Sequence, residues 1–170
     1  MIGLRRGTVE IMPYDLNWPL EFEKEKHLIQ QAFGEQIVAI EHVGSTAVPD
    51  MPAKPIIDIE IGVQKFEDWK VIVPLAEKIG YIFMPDRVFE DYVFMPKGDE
   101  SQRTHYLHIA SIDSAEWKNI LTFRDILRND LVVRAHYAKL KRKLAKLHGH
   151  NRAEYTALKT AFINSAISGD

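Results

Sequence analysis

The 170-residue sequence contains no cysteine, and this absence excludes thiol catalysis, thiolate zinc sites and disulfide bonds. It also lacks any run of about 20 apolar residues, the length that a membrane-spanning helix needs. Its 22 basic and 24 acidic side chains leave a net charge of −2, so no strong overall field attracts nucleic acid or anionic lipid. We therefore expect a cytoplasmic protein of bacterial type, with no membrane partner and enough chain to bury its own core.

Residues 1–112 carry the signals of a sheet with two helices. Asn17 suits the N-cap of the first helix, which we expect to end at Gly34. A second helix is predicted at 66–79, closed by Gly80. Short apolar runs predict five strands, at 36–43, 54–63, 81–84, 91–95 and 103–110. A sheet with this order of elements is mixed or antiparallel.

Residues 113–170 are predicted to form three helices. Capping-box spacings precede the first and third helices, in the pairs Asp113 with Glu116 and Asn151 with Glu154. The middle helix carries an apolar seam that ends at Gly149 and is expected to pack in the core, formed by Val133, Tyr137, Leu140, Leu144 and Leu147. No repeat or flexible linker divides the chain, so the fold class is α+β in a single domain over 1–170.

Two carboxylates, Asp58 and Glu60, stand two residues apart in the strand predicted at 54–63. They therefore project from one face of the strand, while isoleucines occupy the other face. Carboxylates this close repel each other, and burial without a counter-ion would raise the pKa of one of them. A divalent cation such as Mg²⁺, which prefers oxygen ligands, relieves that conflict. The alternative is an ordinary strand with a solvated outer face.

The segment before that strand contains Gly44, Ser45 and Thr46. Glycine allows close approach of a backbone, and a turn that opens a short helix presents N–H groups and hydroxyls to an anion such as a triphosphate. The alternative is an ordinary turn in which Ser45 caps a helix. Twelve residues separate Ser45 from Asp58.

The combination of Gly44-Ser45 with Asp58-Ile59-Glu60 resembles the nucleotidyltransferase pattern, a hydrophobic residue with Gly-Ser followed by Asp, a hydrophobic residue and an acid. The wider segments 42–49 and 53–59 resemble the GrpB-like family. Further landmarks of that family lie along residues 9–163, at 14–15, 18–19, 103–108, 123–125, 127–128, 137 and 140–141. The resemblance implies a mixed sheet with helices mainly on one face, a Gly-Ser turn that holds nucleotide phosphates, and carboxylates that bind Mg²⁺.

Active members of this superfold usually add a third carboxylate from a neighbouring strand, but the strand predicted at 103–110 offers His105 and His108 instead. Residues three apart face opposite sides of a regular strand, so only one histidine can join Asp58 and Glu60. We expect His108 to be the more exposed of the two. A histidine ligand favours Mn²⁺ or Zn²⁺ over Mg²⁺. Alternatively, the histidines are structural, or catalysis has been lost.

Basic side chains supply the rest of a predicted anion site. Arg124 interrupts an apolar helix stripe and therefore needs a partner, either a carboxylate, Asp58 or Glu60, or a phosphate group. Further phosphate candidates near the predicted strands are Lys54, Arg87 and Arg103. A longer basic stretch, 134–152, has seven Lys or Arg and no acid. Without aromatic platforms we interpret this stretch as a solvated helix face rather than a nucleic-acid site.

The leading prediction is a protein that binds a nucleotide triphosphate with Mg²⁺ or Mn²⁺ and transfers a nucleotidyl group to an acceptor that the sequence does not identify. In this prediction Asp58, Glu60 and His108 hold the metal, and His105 is a further catalytic candidate. The alternative is a catalytically silent module that binds a nucleotide or another phosphorylated small molecule. Family members appended to dephospho-coenzyme A kinases connect that alternative with coenzyme A metabolism.

Overall fold

The computed structural model describes residues 2–148 and 152–169. Its helices are α1 (Trp18–Phe33), α2 (Trp69–Lys78), α3 (Ala115–Asn129), α4 (Leu131–His148) and α5 (Arg152–Ser168). Its strands are β1 (Ala39–Val43), β2 (Ile57–Val63), β3 (Tyr92–Lys97) and β4 (His105–Ser111). Within the described residues, every helix is too short or too polar to cross a membrane.

The four strands form one mixed sheet in the order β1-β2-β4-β3. The central pair, β2 and β4, is parallel, whereas the two outer pairs are antiparallel. The register places Asp58 beside Tyr106 and Glu60 beside His108. Because paired residues in neighbouring strands project to the same face, this register brings the carboxylates of β2 and a histidine of β4 together.

One face of the sheet packs against α1 and α2. Four residues of β2 are fully buried there, Ile57, Ile59, Ile61 and Val63. From the helices, Trp18, Ile29 and Ile72 join the same cluster. Full burial of one such aliphatic side chain contributes roughly 1.5–3 kcal/mol. The strict alternation of β2 therefore fixes its core face and, with it, the direction of Asp58 and Glu60.

The last three helices form a second apolar cluster with the segment that follows β1. Its buried members are Val48, Met51, Leu127 and Tyr137, and Phe123, Val133, Leu140, Phe162 and Ile163 pack against them. The predicted seam of α4 is therefore a core feature as far as Leu144, whereas Leu147 is exposed. Gly149 and Asn151, which mark the predicted seam end and the second capping box, lie outside the described residues.

The N-terminus of α3 differs from the predicted capping box in a way that affects the site. Ser114, not Asp113, is the N-cap, and its hydroxyl accepts a hydrogen bond from the Trp117 N–H at 3.1 Å. Asp91 accepts a further bond from the Glu116 N–H at 3.2 Å. With the N-cap shifted by one residue, Glu116 occupies the second helical position, and its side chain lines a cavity.

Two smaller predictions about local structure need correction. Asn17 lies at the N-cap position of α1 as predicted, but it has helical backbone angles, and its side chain makes no cap because capping requires an extended residue there. The side chain of Asp15 accepts from Asn17 instead. The strand predicted at 81–84 is reduced to one isolated bridge between Tyr81 and Lys97, after which the chain turns away in a short 3₁₀ helix.

Candidate functional site

The Gly-Ser turn lies directly against the first carboxylate of β2. Gly44 has φ 68° and ψ −172°, a conformation that favours glycine. A Cβ at this position would lie 2.7 Å from Asp58 Oδ2, so any other residue would displace the carboxylate. The two motifs that are twelve residues apart in sequence are therefore in contact in the structure.

The side chains that follow Gly44 have different surroundings. Thr46 is buried and contacts Nε2 of His42 at 3.0 Å. The His42 ring stacks on Phe22 with 4.6 Å between centroids, and burial lowers the pKa of His42 to about 4. Ser45 instead lies beside Tyr137 of α4 in the wall of a cavity, and interaction with Ser45 opposes the rise that burial causes in the pKa of Tyr137. Ser45 thus lies between the turn and the helical group, while Thr46 stabilises the turn from within.

Glu60 is fully buried, and neither of its carboxylate oxygens has a hydrogen-bond partner among the described residues. Burial raises the pKa of Glu60 to about 8, and the neighbouring Glu116 and Asp58 also raise it, whereas His108 lowers it. A solvated outer face is therefore the wrong interpretation for this position. Leaving a buried polar group without a partner costs on the order of 1–3 kcal/mol, so the site has a free-energy reason to bind a ligand.

The unpaired carboxylate of Glu60 is one of three groups that converge. Glu60, His108 and Glu116 each offer one ligand atom, and these atoms all lie within 4.8 Å of one another. Nε2 of His108 lies 3.6 Å from Asp58 Oδ1, and its Nδ1 has no hydrogen-bond partner in the described part of the chain. We call Asp58, Glu60, His108 and Glu116 the carboxylate–histidine cluster.

The electrostatics of this cluster are coupled. Burial opposes the charged form of His108, but contact with Asp58 and the charge of Glu60 outweigh it and raise the pKa of the ring. Burial also raises the pKa of Glu116, which His108 partly offsets. Within the cluster, the imidazole of His108 is therefore the only cationic partner for three acids. When these acids are ionised, the cluster carries excess negative charge.

The donor set of the cluster fits a divalent metal ion. Carboxylate oxygens with one imidazole nitrogen suit Mn²⁺ or Zn²⁺, and Mg²⁺ less well. Ligand distances of about 2.2 Å require only small side-chain shifts from the observed separations. Glu116 supplies the third carboxylate, from a helix rather than from a strand. Sequence reasoning missed this role because it assigned Glu116 to a capping box, and the alternative N-cap at Ser114 was the available signal.

His105, a predicted catalytic candidate, lies on the opposite face of the sheet from Asp58. Its Nε2 is 3.8 Å from Glu25 Oε2, and its Nδ1 is 2.9 Å from the Thr104 hydroxyl. Burial lowers its pKa. The alternation of β4 therefore separates the two histidines, and only His108, the more exposed one, joins the cluster.

Arg124 lines the cavity that Glu116 also lines, but it pairs with neither Asp58 nor Glu60. Its Nη1 donates to Glu41 Oε2 at 2.6 Å and to the His42 carbonyl at 3.1 Å, and its Nε donates to Asp125 at 2.9 Å. Of the two alternatives for Arg124, pairing with Asp58 or Glu60 is wrong because α3 places Arg124 beside β1, at the edge of the sheet. Phosphate binding by Arg124 stays a prediction.

A cavity of about 530 Å³ lies between the sheet and the last three helices. Gly44, Ser45 and Asp58 line it from the sheet side. Apolar side chains of the helices, Ile120, Phe123, Ile163 and Ile167, form part of the opposite wall. The volume falls within the range of small-molecule sites, roughly 300–1,000 Å³.

Three lysines form a second charged wall of this cavity, and we call Lys54, Lys141 and Lys159 the lysine cluster. Lys141 is 2% exposed, donates to the Pro52 carbonyl at 2.5 Å and lies over a tyrosine ring. Burial, together with the charges of Lys159 and Lys54, lowers its pKa well below the ordinary value. The basic stretch of α4 is thus not wholly a solvated face, because Lys141 points into the cavity wall.

The other predicted phosphate residues divide between two places. Lys54 and Thr46 line this cavity. Arg87 and Arg103 line a neighbouring hollow instead, which also contains His108. The predicted phosphate residues are therefore divided, with Thr46, Lys54 and Arg124 at this cavity and Arg87 and Arg103 at the neighbouring hollow.

The mixed sheet and its helices define a nucleotidyltransferase-like fold. The crystal structure of conserved protein GrpB from Enterococcus faecalis superimposes with a TM-score of 0.83 and 30% identity, over 94% of this chain and 98% of that chain. The family model described as GrpB protein matches residues 8–168. The chain belongs to the GrpB protein family.

Two relatives extend this result. The Glutamate-rich protein GrpB of Alkalihalophilus pseudofirmus is 30% identical over 172 residues, which are 99% of each chain. A dephospho-CoA kinase of Mycolicibacterium paratuberculosis is 26% identical over 188 residues, covering 96% of this chain and 46% of that protein.

Proposed function

We propose that the chain binds a nucleoside triphosphate with a divalent metal ion in the cavity between the Gly44-Ser45 turn and helices α3–α5, and transfers a nucleotidyl group to an acceptor hydroxyl. The observation that carries this proposal is the unpaired, buried carboxylate of Glu60. Its carboxylate is fully buried and has no hydrogen-bond partner among the described residues, yet it lies beside His108 and Glu116. A divalent cation would satisfy all three groups.

The two charged walls of the cavity suit the two parts of such a ligand. The carboxylate–histidine cluster would hold the metal, and the imidazole in it favours Mn²⁺ over Mg²⁺. A bound metal stabilises the charge that develops on phosphate oxygens. Lys54 and Lys159 of the lysine cluster carry positive charge for a triphosphate, close to Ser45 and the turn at Gly44. Buried Lys141 donates to the Pro52 carbonyl beside them. Apolar side chains of α3 and α5 offer contacts for the nucleoside.

The proposed transfer needs only the nucleoside triphosphate and the acceptor hydroxyl as reactants. The acceptor oxygen forms a bond to the α-phosphorus, the bond from that phosphorus to the bridging oxygen breaks, and pyrophosphate leaves. Asp58 and Glu116 both line the cavity, and Asp58, which lies against the turn at Gly44, accepts the proton of the attacking hydroxyl in this proposal. Ser45 and the lysine cluster orient the phosphates for that attack.

Calorimetric titration with α,β-methylene ATP, a non-hydrolysable analogue, tests the binding step in Mn²⁺, in Mg²⁺ and in EDTA. We expect metal-dependent binding that Glu60→Gln weakens by at least about tenfold. Glu77→Gln is the matched control, because Glu77 is exposed on α2, on the other side of the sheet. Binding that is equal with and without metal, or unaffected by Glu60→Gln, contradicts the proposal.

A second candidate function is a catalytically silent nucleotide-binding module connected with coenzyme A metabolism. The match to a dephospho-CoA kinase over 46% of that protein favours it. Pyrophosphate release separates the two candidates: with ATP, Mn²⁺ and a panel of hydroxyl acceptors, the transferase produces pyrophosphate and the silent module does not. Titration with dephospho-coenzyme A tests the connection directly.

A further inference from the structure

A second hollow, of about 500 Å³, lies next to the cavity in which we propose that the nucleotide binds. We call that first space the nucleotide cavity. Three arginines line it, Arg6 from the N-terminal segment, Arg87 before β3 and Arg103 before β4. None of its described lining residues is acidic. We call this space the arginine hollow. Arginine presents planar, paired N–H donors that match phosphate and carboxylate groups, so the charge of the hollow favours an anion.

The present partners of these arginines leave them available to a ligand. Arg6 pairs with Glu100, and Arg87 lies 3.8 Å from Asp86. Both acids are more than 70% exposed, and such surface pairs contribute about 0–1 kcal/mol. Arg103 is buried, and its guanidinium donates to the Gly98 carbonyl. A bound anion would therefore replace only weak interactions at Arg6 and Arg87, while Arg103 would keep its hydrogen bond to the Gly98 carbonyl.

Aromatic rings form the other wall of the arginine hollow. Phe89 stacks on Tyr92 with 4.4 Å between centroids, and Phe94 contacts Tyr106 at 5.0 Å. The Arg87 guanidinium lies 6.0 Å from the Phe94 ring centroid. Flat apolar surfaces with a guanidinium above them suit a planar ligand body.

The arginine hollow and the nucleotide cavity meet at β3 and β4. Tyr92, Phe94, Tyr106 and His108 line both spaces. Since His108 also belongs to the carboxylate–histidine cluster, a molecule in the arginine hollow would reach the position where the proposed transfer occurs.

We infer that the arginine hollow binds the acceptor, a small molecule with a planar body, an anionic group held by Arg6, Arg87 and Arg103, and a hydroxyl directed toward His108. This inference rests on the proposed function. The anionic group is a phosphate or a carboxylate, since arginine binds both in the same paired geometry.

Phenyl phosphate and benzoate are suitable probes, with benzyl alcohol as the neutral control. Calorimetric titration is performed on the full chain saturated with α,β-methylene ATP and Mn²⁺, so that the nucleotide cavity is filled. We expect at least one anionic probe to bind about tenfold or more tightly than benzyl alcohol. The tighter of the two anions identifies the acceptor group.

The double variant Arg6→Gln with Arg87→Gln tests the residues, and both side chains are exposed enough to be changed without loss of the fold. We expect it to weaken binding of the anionic probe by about tenfold or more. Arg5→Gln is the matched control, since Arg5 is exposed on the same segment and does not line the hollow. Unchanged probe binding in the double variant overturns the inference, as does binding that Lys159→Gln removes instead.

Nucleotide binding, measured separately, distinguishes the two proposals. If the nucleotide analogue binds and neither anionic probe does, the acceptor inference fails and the proposed function stands. If the nucleotide analogue does not bind, the proposed function and the acceptor role fail together, even where the arginines still bind phenyl phosphate.

Discussion

The two faces of the sheet each bury a glutamate beside a histidine of β4, with opposite results. On the face covered by α1 and α2, Glu25 is 4% exposed and accepts two hydrogen bonds from Lys97, at 2.8 and 2.9 Å, with His105 at 3.8 Å. On the other face, Glu60 is fully buried beside His108, and its oxygens have no hydrogen-bond partner among the described residues.

The difference separates a satisfied structural network from a candidate binding site. Tyr81 completes the group around Glu25 with a hydrogen bond of 2.9 Å, so that carboxylate needs nothing more. Around Glu60 the neighbours are mainly other acids, Asp58 and Glu116, with only one imidazole. A buried acid that the described chain leaves unpaired is satisfied by a bound cation or by a proton.

The largest expected effect is on stability without metal. Glu25→Ala leaves Lys97 and Tyr81 without their partner and should lower the free energy of unfolding by about 3 kcal/mol. Glu60→Met should raise it, because an apolar side chain of similar size replaces an unpaired buried carboxylate. Urea unfolding in EDTA measures both variants. A loss in Glu60→Met as large as that in Glu25→Ala would remove the distinction between the two faces.

The next effect is stabilisation by metal. At a Mn²⁺ concentration of 100 times Kd, binding to the native state alone should raise the free energy of unfolding by about 2.7 kcal/mol. Glu60→Gln and Glu116→Gln should lose most of this gain, whereas Glu25→Ala should keep it despite its lower starting stability. Thermal or urea unfolding with and without Mn²⁺ provides the measurement. Equal stabilisation of all three variants would place the ion elsewhere.

A smaller effect is the pH dependence of stability in the metal-free protein. The pKa of Glu60 is raised from 4.5 to about 8, so the folded state binds more protons than the unfolded state between these values. The free energy of unfolding should therefore fall as pH rises through this window, by about 1 kcal/mol per pH unit from this group. Glu60→Gln should flatten the slope.

His42 limits the pH range of that measurement, because its lowered pKa changes the free energy of unfolding with pH in the opposite direction. Because the folded protein holds His42 neutral down to a pKa of about 4, its contribution to stability is lost as pH falls below the ordinary value of 6.5. The Glu60 slope is therefore best taken above that pH. An identical slope in Glu60→Gln would mean that another group titrates.

Much of the site could be predicted from local pattern. The alternation of β2 placed Asp58 and Glu60 on one face, and the same alternation in β4 allowed only one histidine to join them. The glycine at position 44 marked a close approach, which proved to be that of Asp58. These features depend on strand geometry alone, and the alternation of residue types in the sequence predicts that geometry directly.

The remaining parts depend on how helices dock. Glu116 joins the cluster only because Ser114 caps α3 and sets its direction, and spacing alone favoured a different cap. Lys141 belongs to a basic stretch that looks solvated, yet the packing of α4 buries it. Arg124 was expected to need a partner, but which acid it meets is decided by the position of α3 against β1. Ser114 gave a local signal for the cap of α3, but the docking of α3 and α4 against the sheet has none.

The most direct test of the account is a crystal structure of the chain soaked in Mn²⁺, with anomalous scattering used to locate the ion. We predict an anomalous peak bounded by Glu60, His108 and Glu116, at ligand distances of about 2.2 Å. A map without a peak at this position, with the Glu60 carboxylate still unpaired, would contradict the assignment of this face of the sheet as a metal-dependent site.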